Sequence, residues 1–278
     1  MSSLTVLAPG PLATIQDLGR PGQAALGITA SGACDRAAYA LANRLVGNPA
    51  GTAAIEVTFG GLELHADSDL TIAITGAPCT GVPLNAPAHL EPGQVLRLGP
   101  PRTGLRSYVA VRGGLDVPPV LGSRSTDLLS GLGPAPLSSG QTLQVGKVVD
   151  PMPGVDLAPV ADPRGDEVTI RVTPGPRRDW FTDAGWKALI TQTYNVSSNS
   201  NRVGVRLDGE PLERARTGEL ASEGMARGAI QIPPSGTPVI FLADHPVTGG
   251  YPVIAYVTEA DLDACAQLRP GQPVRLIS

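Results

Sequence analysis

Three stretches of the sequence bring together residue types that can do chemistry. The densest is Val239-Ile-Phe-Leu-Ala-Asp244-His245-Pro246-Val247-Thr248-Gly249-Gly250-Tyr251-Pro252. An apolar run delivers an acid, a histidine, a hydroxyl and a phenol into a pair of glycines. Paired glycines let a ligand approach the backbone, and their N–H groups can face a developing negative charge. Asp244 and Tyr251 are therefore candidates for moving a proton, and Thr248, Gly249 and Gly250 for holding substrate. The structural alternative is a rigid hairpin between two strands, with Asp244 bonding its own turn. A hairpin needs neither the tyrosine nor so many polar groups at its tip. Asp244 is expected at the surface, where loss of its charge costs activity and spares the fold.

The second stretch is Asn199-Ser-Asn-Arg202-Val-Gly-Val-Arg206-Leu207. An arginine at the mouth of an alternating strand can clamp a carboxylate or phosphate with two parallel hydrogen bonds, and Arg202 is the catalytic candidate. A surface ion pair is the structural alternative, above all for Arg206. The third stretch is Gln16-Asp17-Leu18-Gly19-Arg20, followed by Ser31-Gly32-Ala33-Cys34-Asp35-Arg36. Short polar residues among glycines before a helix can offer N–H groups to an anion. Gln16, Asp17, Arg20, Ser31 and Asp35 are the substrate-binding candidates. Asp35 or Ser31 can instead cap the following helix; Asp17 and Arg20 are less easily explained that way.

Absent motifs narrow the chemistry. Lys147 follows Gly146, but the phosphate-loop pattern fails because Val148 stands where a Ser or Thr would reach magnesium. There is no Gly-x-Ser-x-Gly elbow. His65, His89 and His245 are isolated, and no metal site is expected. The three cysteines, Cys34, Cys79 and Cys265, are widely spaced with no C-x-x-C, which fits a reducing compartment. A covalent biotin needs a Met-Lys turn; Lys147 and Lys187 are the only lysines, in Gly-Lys-Val and Trp-Lys-Ala, so no attached biotin is expected.

These residues must be positioned by a strand-rich scaffold. The chain has 278 residues with 34 glycines and 28 prolines spread along it, 42% hydrophobic and 17% charged residues. Turn residues between short apolar runs point to many strands. Leu4–Leu7, Leu70–Thr75, Ser107–Val111, Val168–Val172, Val239–Ala243 and Tyr251–Val257 read as strands. Asp35–Val46, Asp179–Ile190 and Glu259–Leu268 read as helices, with Trp180, Phe181, Ala184, Ala188 and Leu189 on the inner face of the second. A pattern L-x-x-G-Q-x-[LV]-x-[LV] recurs at Leu90, Leu137 and Leu268, each a glycine turn feeding a strand. The last two copies are expected to close one domain each. Residues 1–150 and 167–278 are expected as two domains, joined by a proline-rich crossing at 151–166. A net charge of −4 without a basic stripe argues against nucleic acid. No signal peptide or membrane span is expected, and the chain reads as cytoplasmic.

Together, Q-D-L-G-R, S-G-x-x-D-R, N-R-L-V-G-N (Asn43–Asn48), R-G-G-L-D-V-P (Arg112–Pro118), G-S-R-S-T (Gly122–Thr126), S-N-R-V-G, G-A-I-Q-I-P (Gly228–Pro233) and A-D-x-x-V-T-G-G-Y-P resemble the Kip-type C subunit of prokaryotic 5-oxoprolinase. This family has also carried the labels allophanate-hydrolase second subunit and kinase-inhibitor antagonist, and is similar to half of the carboxyltransferase domain of urea carboxylase. The resemblance covers nearly the whole chain. It implies a mainly-β fold of two cyclophilin-like β-barrel subdomains with a few short helices, and an active site near their junction. It also implies a heterocomplex with a Kip-inhibitor-like (KipI-like) B subunit, a third oxoprolinase subunit, and ATP and Mg at the level of the complex. The expected reaction is ATP-dependent opening of the 5-oxoproline lactam to glutamate. The alternatives are carboxyl transfer to urea-like amides, and a non-catalytic antagonist that binds a kinase-inhibitor protein. In the family, Asp-Arg-Gln often precedes Thr-Gly-Gly-Tyr, where this chain has His245-Pro246. Cys34 stands where Met is frequent, which argues against a nucleophilic role.

Overall fold

The computed structural model describes residues 2–148, 150–218 and 220–278. They group into two units. One runs to Arg20 and includes Ser31–Asp127 and Gly131–Pro163; the other comprises Pro21–Ala30, Leu128–Ser130 and Arg164–Ser278.

The first unit contains β1 (Ser3–Pro9), β2 (Leu12–Gln16), α1 (Arg36–Leu45), β3 (Ala54–Thr58), β4 (Leu62–Ala66), β5 (Leu70–Gly76), β6 (Pro87–Leu90), β7 (Val95–Arg97), β8 (Arg106–Val111) and β9 (Thr142–Gln144). They form two sheets, ordered β7-β4-β1-β9 and β2-β3-β8-β5-β6. Side chains alternate across a strand, so the sequence of β8 decides what each face meets. Val109 and Val111 join Leu4, Val6, Ile55, Leu64, Ile72 and Ile74 in one apolar core. Tyr108 and Ala110 face the other way and pack with Ala38, Tyr39, Ala42 and Leu45 of α1. Every residue of β8 is buried, as a central strand covered on both faces requires. Asp35 caps α1 by accepting the Ala38 N–H, which fulfils the capping alternative for that residue.

The second unit contains β10 (Val168–Pro174), α2 (Asp183–Thr191), β11 (Thr193–Val196), β12 (Gly204–Asp208), β13 (Glu223–Gly224), β14 (Ala229–Gln231), β15 (Val239–Phe241), β16 (Thr248–Gly249), β17 (Val253–Val257), α3 (Leu262–Ala266) and β18 (Pro273–Ile277). Seven strands close a barrel in the order β10-β17-β14-β15-β12-β11-β18, and β13 and β16 form a separate ribbon. The chain is thus mainly β, with a closed barrel.

Local details depart from the sequence reading. The second helix is split: a 3-10 turn at Arg178–Trp180 precedes α2, because Phe181 is extended and the Thr182 hydroxyl caps the new start. Ala184 is exposed, and Gly185 faces inward instead. A Cβ on Gly185 would stand 2.5 Å from the Glu213 carbonyl. The third helix likewise begins as a 3-10 turn at Glu259–Asp261. β15 and β17 do not pair; each pairs with β14. Residues 244–252 therefore cross over a strand and are not the tip of a hairpin.

The recurring L-x-x-G-Q pattern has one structural meaning in all three copies. Gly93, Gly140 and Gly271 have φ of 86°, 81° and 79°, the left-handed region that glycine adopts without penalty. The following glutamine turns back on the loop: Gln94, Gln141 and Gln272 accept the N–H of Glu91, Ser138 and Arg269 through Oε1, at 2.9, 3.2 and 3.0 Å. Each glycine N–H donates to the carbonyl of a residue in an earlier strand, Ala66, Val6 or Val196, and the same residue's N–H returns to the glutamine carbonyl. The pattern is a docking turn that seats a new strand on an old one.

Among the described residues, no helix is long and apolar enough to cross a membrane.

Candidate functional site

In the first unit, the end of β2 and the segment Ser123–Asp127 build a buried polar centre. Asp17 organises it. Its carboxylate accepts the Gly19 N–H at 2.7 Å and, each at 2.6 Å, the Ser123 hydroxyl, the Ser125 hydroxyl and the Arg124 N–H. A carboxylate with four donors has little capacity left for a ligand, so Asp17 positions its neighbours. Arg20 is only 1% exposed. Its Nη2 donates to the Ser125 carbonyl, its Nε lies 3.4 Å from the Val120 carbonyl, and its Nη1 lies 3.8 Å from the Asp127 carboxylate.

Gln16 is fully buried, and its Nε2 donates to the Thr14 hydroxyl at 3.0 Å and the Thr126 carbonyl at 2.9 Å. Three buried atoms of this centre have no hydrogen-bond partner: Gln16 Oε1, Thr126 Oγ1 and Arg20 Nη1. All three belong to residues tied to the Ser125–Thr126 backbone or part of it. Buried polar groups in folded proteins are satisfied by protein, water or ligand. These three supply an acceptor, a hydroxyl and a cationic donor, the set that complements an amide's N–H and C=O. Ser31 joins them, with its hydroxyl 3.3 Å from the Thr126 carbonyl and a left-handed φ of 53°.

A neighbouring buried carboxylate escapes the sequence reading. Glu56 Oε2 accepts the Cys34 N–H at 2.9 Å and the Tyr108 hydroxyl at 2.8 Å, while Oε1 lies 3.5 Å from Arg106 Nε. The Tyr108 oxygen accepts the Asp35 N–H at 2.8 Å. Burial first, and then the Glu56 charge, push the Tyr108 phenol well above its ordinary range, so it stays protonated and donating. This relay fixes the entry of α1. A sequence signal for it exists: Glu56 is a lone acid in Ala-Ile-Glu-Val, a strand otherwise apolar.

In the second unit, Arg202 precedes β12 and Asp244 follows β15, two adjacent antiparallel strands. The structure brings these two candidates face to face. Arg202 Nε lies 2.9 Å from Asp244 Oδ2 and Nη2 lies 3.0 Å from Oδ1, a two-pronged pair with side chains 1% and 0% exposed. Asp244 Oδ2 also accepts the Leu128 N–H at 3.1 Å, and the Asp244 N–H donates to the Arg202 carbonyl at 3.0 Å. The expectation of a surface carboxylate at 244 is thereby corrected: strand pairing draws Asp244 into the barrel end, where a charge is stable only when paired. The same fork that would clamp a ligand holds Asp244.

The rest of the loop is placed differently. Thr248 and Gly249 form β16 against Gly224 and Glu223. A Cβ on Gly249 would stand 2.7 Å from Gln231 Nε2, so close packing explains that glycine. The nearest heavy atom to a Cβ on Gly250 would be 3.4 Å away, ordinary contact. His245 stacks on Phe241, with ring centres 6.1 Å apart. Tyr251 is 45% exposed, while Asp244 is buried. Among the described residues, no three His, Cys, Asp or Glu side chains converge as metal ligands.

Residues 26–278 match the family described as carboxyltransferase domain, subdomain A and B. The chain is 39% identical to the C-type subunit of 5-oxoprolinase from Escherichia coli strain K12, over 99% of this chain and 90% of that protein. It is 34% identical to urea amidolyase of Lachancea kluyveri, over 98% of this chain and 17% of that protein. The crystal structure of the protein TTHA0988 superposes with a TM-score of 0.90 at 35% identity, covering all of this chain and 56% of that one. This chain thus spans little more than half the length of that structural neighbour.

Proposed function

Because this chain belongs to the family of carboxyltransferase domains, subdomains A and B, we propose that it is the C-type subunit of an ATP-dependent 5-oxoprolinase, paired with a Kip-inhibitor-like B subunit and completed by a third subunit. The observation that carries this reading is the match to a named 5-oxoprolinase subunit along nearly the full length of both chains. The first unit offers chemistry to suit. A lactam presents an N–H donor beside a C=O acceptor. Gln16 Oε1 would accept the ring N–H, and Arg20 Nη1 and the Thr126 hydroxyl would donate to the carbonyl oxygen. Donors fixed in a buried centre polarise a carbonyl more strongly than water does, because they need no reorganisation as charge develops.

In the complex, Mg-ATP would supply the phosphoryl group that makes the lactam oxygen a leaving group. Water would add to the ring carbon and the C–N bond would break as the nitrogen takes a proton, giving an acyl phosphate; a second water would displace phosphate from it, leaving glutamate. Asp17 and the Arg202–Asp244 pair position backbone; the exposed Tyr251 is the residue of the second loop best able to meet a ligand or a partner subunit.

A second reading is carboxyl transfer to a urea-like amide, which the family description and the urea amidolyase relative favour. It uses the same amide-binding set, with the carboxyl group carried by biotin on another chain. Co-purified subunits separate the readings when ATP hydrolysis is measured with 5-oxoproline, with urea plus a biotinylated carrier, and with neither. Stimulation by 5-oxoproline with stoichiometric glutamate, reduced about a hundredfold by Gln16→Leu, is the expected result. Stimulation by urea plus the carrier, and not by 5-oxoproline, would replace lactam opening with carboxyl transfer. Inactivity of a complex that still binds the B subunit would leave a regulatory role.

A further inference from the structure

The first unit holds a cavity of about 340 Å³ that the lactam reading does not use. That volume falls at the small-molecule end of ligand sites. Its walls come from Pro49–Ala53, the Gly113–Asp116 turn after β8, Arg124, and Gly146–Lys147. Two motifs read in the sequence, R-G-G-L-D-V-P and G-S-R-S-T, therefore meet at one opening, joined by one of the chain's two lysines.

The glycines explain how three segments converge. A Cβ on Gly113 would stand 2.5 Å from the Gly146 carbonyl, one on Gly146 would stand 2.6 Å from the Gly113 carbonyl, and one on Gly114 would stand 2.2 Å from Thr52 Cγ2. Only bare backbone allows these crossings. They fix the floor of the cavity.

Arg124 is held in place before any ligand arrives. Its N–H is clamped by Asp17 at 2.6 Å, and its Nε donates to the Val117 carbonyl at 2.7 Å. Its two Nη groups have no hydrogen-bond or ion-pair partner among the described residues, and neither has the Lys147 ammonium. Asp116, also on the wall and also unpaired among the described residues, is the one acid there. A half-buried guanidinium anchored through Nε leaves a two-pronged edge that matches carboxylate or phosphate. Lys147 adds a mobile point charge, and Asp116 can accept an N–H or O–H of the same ligand.

We propose that this cavity binds a small ligand through an oxyanion group, carboxylate or phosphate, held by the free edge of Arg124 and by Lys147. The test is calorimetric titration of the full-length chain at low ionic strength with two probes, inorganic phosphate and L-aspartate. At least one should bind saturably at one site per chain. Arg124→Gln should weaken it tenfold or more and Lys147→Gln several-fold, while Arg97→Gln, which breaks only a surface pair with Glu63, should leave it unchanged. Phosphate binding alone identifies a phosphate-bearing ligand. Aspartate binding alone, weakened by Asp116→Asn, identifies an amino acid or its relative. Lys147 is exposed, so its variant folds even where Arg124→Gln loosens the loop. Saturation by neither probe, or binding indifferent to both Arg124→Gln and Lys147→Gln, overturns the proposal. Lactam opening is not read in this assay, so that reading stands or falls separately.

Discussion

Asp244→Asn tests how the second unit is held together. The substitution keeps the side chain's size and one acceptor oxygen. It removes the charge that faces Arg202 through contacts of 2.9 and 3.0 Å in a site where both side chains are almost wholly buried. An arginine cannot deprotonate to escape, so its charge stays buried after losing the carboxylate that it grips with two prongs. Breaking one side of such a pair costs about 3–5 kcal/mol. For a chain of this size, that corresponds to a fall in Tm of roughly 5–9 °C. Circular dichroism melting of the purified chain measures it. Arg202→Met should cost a similar amount. The double variant Arg202→Met/Asp244→Leu should recover part of the loss, because neither member of the pair is left as a buried charge without the other. Recovery stays incomplete because the Leu128 N–H loses its acceptor. A coupling energy of about 2 kcal/mol or more between the sites is expected. If Asp244 is instead a proton carrier, Asp244→Asn melts within about 1 kcal/mol of wild type while turnover of the complex collapses about a hundredfold. That result would refute the bracing role.

Other consequences are testable on the chain alone. Asp261 accepts three hydrogen bonds from Arg171, one from its backbone and two from its guanidinium, and they hold its pKa below the ordinary 3.8. A depressed carboxylate stabilises the fold above its unfolded pKa and ceases to as pH falls through the folded one. The stability gap between wild type and Asp261→Asn should therefore be full at neutral pH and close on acidification below about pH 4, read by denaturant melts across that range. All three cysteines are buried thiols, with Cys265 pushed up to about 12 and Cys79 also raised, both by burial first. Iodoacetamide should leave the native chain unlabelled over an hour and modify three sites once it is unfolded, by intact mass; rapid native labelling of Cys265 would contradict this. Gln272 is buried and also donates to the Arg164 and Asp166 carbonyls at 2.9 and 3.0 Å, whereas Gln94 lies at the surface. Gln272→Ala should destabilise by about 1–3 kcal/mol and Gln94→Ala by under about 1. Equal effects would mean that the docking turn matters more than its burial.

What is legible in the sequence follows from local physics. The α1 boundaries are readable because a helical apolar period, an acidic cap and a terminal glycine act within a few residues of one another. The L-x-x-G-Q turns are readable as turns for the same reason. Which strand each turn docks on is not, because Ala66, Val6 and Val196 lie far from their turns in the chain. The 244–252 loop misleads on the same ground. Two strands flanking a glycine turn look like a hairpin until β14, from earlier in the chain, inserts between them. Burial of Asp244 follows from that insertion and from its meeting Arg202, 42 residues away. Composition shows which groups are charged; only topology shows which charges meet.

The same point explains why Q-D-L-G-R and G-S-R-S-T, read as separate motifs, are halves of one object. Along Ser123–Thr126, successive residues meet different partners. Ser123 and Ser125 turn to Asp17, Arg124 lines the cavity, and Thr126 stands with Gln16. One carboxylate thereby fixes two neighbouring chemistries: an arginine edge suited to an oxyanion and a buried donor–acceptor set suited to an amide. Asp17 needs no contact with either ligand to matter for both. Loss of its charge would release the two serines and the Arg124 N–H together, which is why Asp17, unlike the exposed Tyr251, is the residue on which both readings of the first unit depend.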